Sequence, residues 1–90
     1  MTGEYEVIFS SRARRALEHE LPEKVAAAVF AFVMGALRDN PYCVGKRLRE
    51  PLTDMYAARR GEYRVIYRIV EQRLVIEAVS VAHQRDVYHR

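Results

Sequence analysis

Cysteine is nearly absent from this chain. Cys43 stands alone, which excludes an internal disulfide framework and any cysteine-based metal site and points to a reducing compartment. Apolar runs are short, and none approaches the ~20 residues that a bilayer crossing demands. The opening Met1-Thr2-Gly3-Glu4 is polar and does not have the pattern of a signal peptide. Repeats, linkers and low-complexity stretches are missing too. Nor is there a carboxylate cluster of metal-ligand type, which disfavours a two-metal nuclease. These absences lead us to expect a soluble cytoplasmic protein that makes no membrane contact and uses no metal or cofactor.

What is present suits one modest core. The chain has 90 residues, half of them hydrophobic, with 15 Lys and Arg against 12 Asp and Glu, a formal charge of +3. That length supports a single domain over residues 1–90. The basic bias is compatible with an anionic partner without requiring one.

Taken in order, Tyr5 to Phe9 reads as a first strand with Tyr5, Val7 and Phe9 on one face. Ser10 or Ser11 caps a helix running to about Glu20, with Ala13, Ala16 and Leu17 as its apolar stripe. Arg12, Arg14 and Arg15 occupy its first turns. The helix dipole disfavours cations there, so helix stability does not explain their placement. Leu21-Pro22 ends that helix. Val25, Val29, Phe32, Val33, Ala36 and Leu37 then recur at helical spacing from Glu23 to Asp39, with Phe30 and Met34 widening the apolar arc. From Pro41 to Pro51 periodicity is lost, and Lys46, Arg47 and Arg49 follow Gly45 in what reads as a basic loop.

Met55 to Ile69 is the stretch around which the chain is organised. Its alternation, broken at Gly61, predicts two antiparallel strands joined by a two-residue turn at Arg60-Gly61, with Arg59 opposite Glu62 and Ala57 opposite Arg64. Tyr63, Val65, Tyr67 and Ile69 then face the core, and Arg64, Ile66 and Arg68 face the other way, joined by Arg59. Guanidinium groups fixed on a sheet surface suit phosphate oxygens, which they bind as bidentate forks. For any single arginine, a solvated position paired with Glu62 or Glu77 is the ordinary reading. Glu71-Gln72 predicts another tight turn, and Leu74 to Ala82 a central strand whose one charge is Glu77. The closing His83-Gln84-Arg85-Asp86-Val87-Tyr88-His89-Arg90 abandons alternation for titratable and hydrogen-bonding groups. The expected fold class is α+β: an N-terminal strand, a helical hairpin and a three-stranded antiparallel meander. These would form a four-stranded, mainly antiparallel sheet with the helices on one face.

Ala58-Arg59-Arg60-Gly61-Glu62-Tyr63-Arg64-Val65-Ile66-Tyr67, the preceding Val44-Gly45-Lys46-Arg47-Leu48-Arg49 and the closing His83-Gln84-Arg85-Asp86-Val87-Tyr88 together resemble the RelE branch of the RelE/ParE toxin superfamily. The resemblance covers essentially the whole chain and rests on the order and spacing of these segments. It implies a toxin of a toxin–antitoxin pair that cleaves mRNA in the ribosomal A site without a metal, the ribose 2′-hydroxyl attacking the neighbouring phosphate. It also implies a small acidic antitoxin of RelB or Phd type as partner, with operator DNA reached only through that antitoxin. By motif position Arg64 matches the sheet arginine at the scissile phosphate, Arg59 a basic residue of the preceding strand, and Tyr88 a C-terminal catalytic tyrosine. Ala57 and Gln84 depart from the pattern, standing where relatives often carry basic residues.

In-line attack by a 2′-hydroxyl needs a proton acceptor, cations at the phosphorane oxygens and a donor to the leaving oxygen. Arg59, Arg64 and Arg85 are the candidate cations, and His83 and Tyr88 the candidate proton-transfer groups. Lys46, Arg47, Arg49, Arg60 and Gln84 are the candidate RNA contacts. The competing function is a non-catalytic toxin of ParE type that inhibits DNA gyrase by binding, since one fold can serve both.

Overall fold

The computed structural model describes residues 5–49, 51 and 54–83. Strand β1, Glu6–Phe9, is followed by helix α1, Ser11–Arg15, which passes without a break into a π-helical turn, Ala16–Glu20. Ser10 caps α1, its hydroxyl accepting from the Ala13 amide at 3.0 Å. Helix α2, Glu23–Phe32, likewise continues into a π-helical turn, Val33–Leu37. Pro41 does not merely close this helix. It opens a short one, α3, Pro41–Val44, as its missing N–H permits at a first helical position. The remaining strands are β2, Lys46–Arg47, β3, Tyr56–Arg60, β4, Tyr63–Val70, and β5, Val75–His83.

The sheet has five strands, in the order β1-β5-β4-β3-β2, and not the four expected from the sequence. The added strand is β2, only two residues long and hidden in what reads as a loop; it pairs Lys46 with Ala57 and Arg47 with Tyr56. Two residues are too few to show alternation, so pairing to β3 alone reveals them. The sheet is mixed, because β1 runs parallel to β5 while the other pairs are antiparallel.

Helices cover one face. Ala13, Ala16, Val29, Val33 and Leu37 meet Ala58, Val65, Tyr67, Ile76, Ala78 and Val81 in a single buried cluster. Val25 and Phe32, expected in the core, are partly buried and pack against it. Between β4 and β5 the register slips, Tyr67 facing Ala78 but Ile66 facing Ser80, so Val79 is an extra residue in β5. This bulge sits where β1 ends. The Ser10 hydroxyl donates to the Val79 carbonyl at 2.6 Å, tying the bulge to the start of α1.

Candidate nucleic-acid interface on the open sheet face

The hairpin carrying the arginines turns at Gly61-Glu62, one residue later than the alternation suggests. Arg60 pairs with Tyr63, Arg59 with Arg64, Ala58 with Val65 and Ala57 with Ile66. Gly61 has φ of +62°, the left-handed region that a hairpin turn of type II′ requires at its first central position. Glycine reaches that region without steric cost, which sets the register.

The new register puts two guanidinium groups directly opposite one another. Ala58 and Val65 point into the core, so their strand neighbours Arg59 and Arg64 project from the open face. Like charges facing across a strand pair are destabilising. They line a concavity of about 480 Å³ with Lys46, Arg47 and Arg49, over a floor that includes Ala57 and Ala58. Among the described residues lining it, none carries a carboxylate. The basic segment after Gly45 and the hairpin arginines, separate in sequence, are thus one site.

Arg68 belongs to the same face but not to this site. It bonds Glu77 at 3.1 Å and Asp54 at 3.5 Å, so its charge is matched. Glu77 lies directly opposite Arg68, because the connection from β4 runs from Glu71 through a left-handed Leu74; a two-residue turn at Glu71-Gln72 would have set Glu77 diagonal to both Arg64 and Arg68. Asp54 carried no signal in the sequence, since it reaches Arg68 from the segment before β3.

Arg60 and His83 lie on the helix-covered side. Arg60, level with Tyr63, borders an apolar groove with Lys24, Val25, Ala28 and Val29. His83 pairs with Tyr63, meets its ring edge-on at a centroid distance of 5.0 Å, and approaches Glu62 at 3.2 Å. Strict alternation from Glu77 would put His83 on the arginine face; the extra Val79 reverses it. Glu62, read from the sequence as an arginine partner, holds this histidine instead. Gln84, Arg85 and Tyr88 lie outside the described residues. Among the described residues no group of three His, Cys, Asp or Glu side chains gathers as metal ligands would.

The fold and this concavity can be set against known proteins. A family model described as the ParE toxin of a type II toxin–antitoxin system, parDE, matches residues 7–88. Toxin RelG of Mycobacterium tuberculosis is 43% identical over 86 residues, covering 96% of this chain and 98% of its own. The chain belongs to the RelE/ParE toxin superfamily, in its RelE branch. Toxin RelE of the same organism is 42% identical over 84 residues, covering 93% of this chain and 86% of its own. The crystal structure of the RelBE2 toxin–antitoxin complex from that organism superposes with a TM-score of 0.84 at 42% identity, over 89% of this chain and 91% of that one. In this RelE-type toxin the arginine pair and the basic edge strand therefore sit on a superfamily fold.

Proposed function

We propose that this toxin is a ribosome-dependent mRNA endonuclease, and that the open-face concavity receives the scissile phosphate. The observation that carries the reading is the direct cross-strand pairing of Arg59 with Arg64 in a cleft walled by cations. As the 2′-oxygen bonds to phosphorus, charge builds on the two non-bridging oxygens. Two fixed guanidinium forks stabilise that charge more than they do the ground state. The P–O5′ bond then breaks, leaving a 2′,3′-cyclic phosphate and a 5′-hydroxyl. A base must take the 2′-hydroxyl proton and an acid must protonate the 5′-oxygen. Tyr88 and Arg85 are assigned to the proton transfer and to charge stabilisation by their place in the family pattern. His83, held by Tyr63 and Glu62 on the other side of the sheet, is better suited to positioning the segment that follows it. Lys46, Arg47 and Arg49 would hold the flanking phosphates, with Gln84 as a peripheral contact, while Arg60, on the helix-covered side, is left out of the RNA contacts.

The 42% identity to a relative named Toxin RelE and the superposition on a RelBE2 complex favour this activity over inhibition of DNA gyrase by binding. The solved relative is a toxin–antitoxin complex, and a cationic face on a toxin suits an acidic antitoxin as its inhibitor. The test adds the purified protein to a translating extract and maps new mRNA 5′ ends against ribosome position. New ends confined to the A-site codon, suppressed when antitoxin is supplied, are the expected result. Intact message together with lost gyrase supercoiling would replace this reading with the binding-only one.

A further inference from the structure

Helix α1 is five residues long, carries Arg12, Arg14 and Arg15 and has no acidic residue in its first turn, although a helix start favours anions. Two of these arginines share a destination. Arg12 and Arg15 line a groove of about 580 Å³ between α1 and β5, opposite Ser80 and Ala82. The groove exists because β1 stops pairing at Phe9 and Ala78. Beyond the bulge, among the described residues, the outer edge of β5 faces a helix and no strand. Glu20 is the one carboxylate among the described residues lining it, and neither arginine has an ion-pair partner among the described residues.

The groove adjoins the arginine cleft. Ala82 is the cross-strand partner of Arg64, which is the partner of Arg59, and neighbouring strands lie about 5 Å apart. Ala82 and Ser80 are small, so the floor between Arg64 and α1 is low enough for a polymer backbone to pass. A line drawn across the strands from Arg59 through Arg64 and Ala82 reaches the α1 arginines.

We propose that Arg12 and Arg15, with the Ser80 hydroxyl, form a second phosphate-binding subsite that holds an RNA backbone as it leaves the Arg59–Arg64 cleft. The proposal rests on the endonuclease reading for its substrate, but its binding chemistry can be measured without cleavage. The phosphates belong either to the message or to ribosomal RNA, and two probes separate these sources. One is a labelled 2′-O-methyl oligoribonucleotide, which cannot be cleaved. The other is mRNA-free ribosomes. Binding of the full chain and of Arg12→Gln/Arg15→Gln is measured against each at several salt concentrations. Loss of two phosphate contacts should reduce the slope of log K against log salt by about 1.4, at ~0.7 per single-strand phosphate. A reduced slope with the oligonucleotide assigns the subsite to the message, and with ribosomes to ribosomal RNA. On programmed ribosomes the same variant should raise KM about tenfold, with the loss sitting in KM and not in the single-turnover rate, the pattern of lost uniform binding. Thermal unfolding is the folding control, with the midpoint expected to hold or rise as cations leave the helix start. Unchanged slopes with both probes would overturn the proposal, as would a variant whose one defect is weaker antitoxin binding, which would make the groove a peptide site. If the wild-type chain cleaves nothing, the endonuclease reading fails while the slopes still decide the subsite.

Discussion

Arg64 sits mid-strand between Tyr63 and Val65, whose packing on the opposite face gives it the rigid placement that transition-state stabilisation needs. Arg64→Ala should fold normally, because an open-face arginine contributes little to stability. Its single-turnover cleavage on programmed ribosomes should fall on the order of 10²-fold, the scale of losing one preorganised oxyanion donor. Arg64→Lys should recover only part of this, as an ammonium lacks the bidentate fork. Wild-type rates in a folded Ala variant would remove Arg64 from the chemistry. Gly45 is a second residue with a sharp expectation. Its backbone is extended, with φ of −110°, so conformation does not demand glycine. Space does: an added Cβ would run into the Tyr67 hydroxyl and come within 2.9 Å of the Ala57 carbonyl oxygen. Gly45→Ala should cost about 1–3 kcal/mol, as overpacking does, read as a lower urea midpoint at unchanged slope.

Elements are joined at a few polar points that strand and helix periodicity do not reveal. The Ser10 hydroxyl both caps α1 and holds the bulge carbonyl of Val79. Ser10→Ala should therefore cost more than an ordinary cap, about 2 kcal/mol or above; a loss under ~0.5 kcal/mol would show that the two bonds are not both made in solution. The other junction is Tyr67, on β4, whose hydroxyl donates to the Pro41 carbonyl of α3 at 2.5 Å. Burial, aided by Tyr56, pushes its pKa up to about 12 from the usual ~10. Because ionisation is harder in the folded chain, the stability linked to this group is complete below pH ~10. It is lost as pH rises toward about 12. Tyr67→Phe should be less stable than wild type at pH 8 and should show a shallower alkaline decline, since the titrating group is gone. Parallel declines in urea titrations between pH 8 and 11.5 would contradict this.

At the scale of the whole molecule, the basic cleft makes salt dependence the clearest expectation. Lys46, Arg47, Arg49, Arg59 and Arg64 line one concavity, so KM on programmed ribosomes should rise steeply as salt is raised from 50 to 200 mM, while thermal stability changes little. A flat response would mean that these cations do not meet phosphate. The layered α+β plan, the two long helices and the core face of β4 were legible from the sequence, because apolar periodicity is a local property that each segment carries whatever it packs against. Arg59 and Arg64 sharing a face was legible for the same reason. Tertiary structure alone decided the rest. The fifth strand exists only through its pairing with β3. The hairpin register followed from where Gly61 could adopt positive φ, and the side taken by His83 followed from a bulge fixed by Ser10, sixty-nine residues away from Val79 in the chain. Alternation counts residues along one strand, whereas a bulge or a register is set by the neighbouring strand, and a single inserted residue reverses every side chain beyond it.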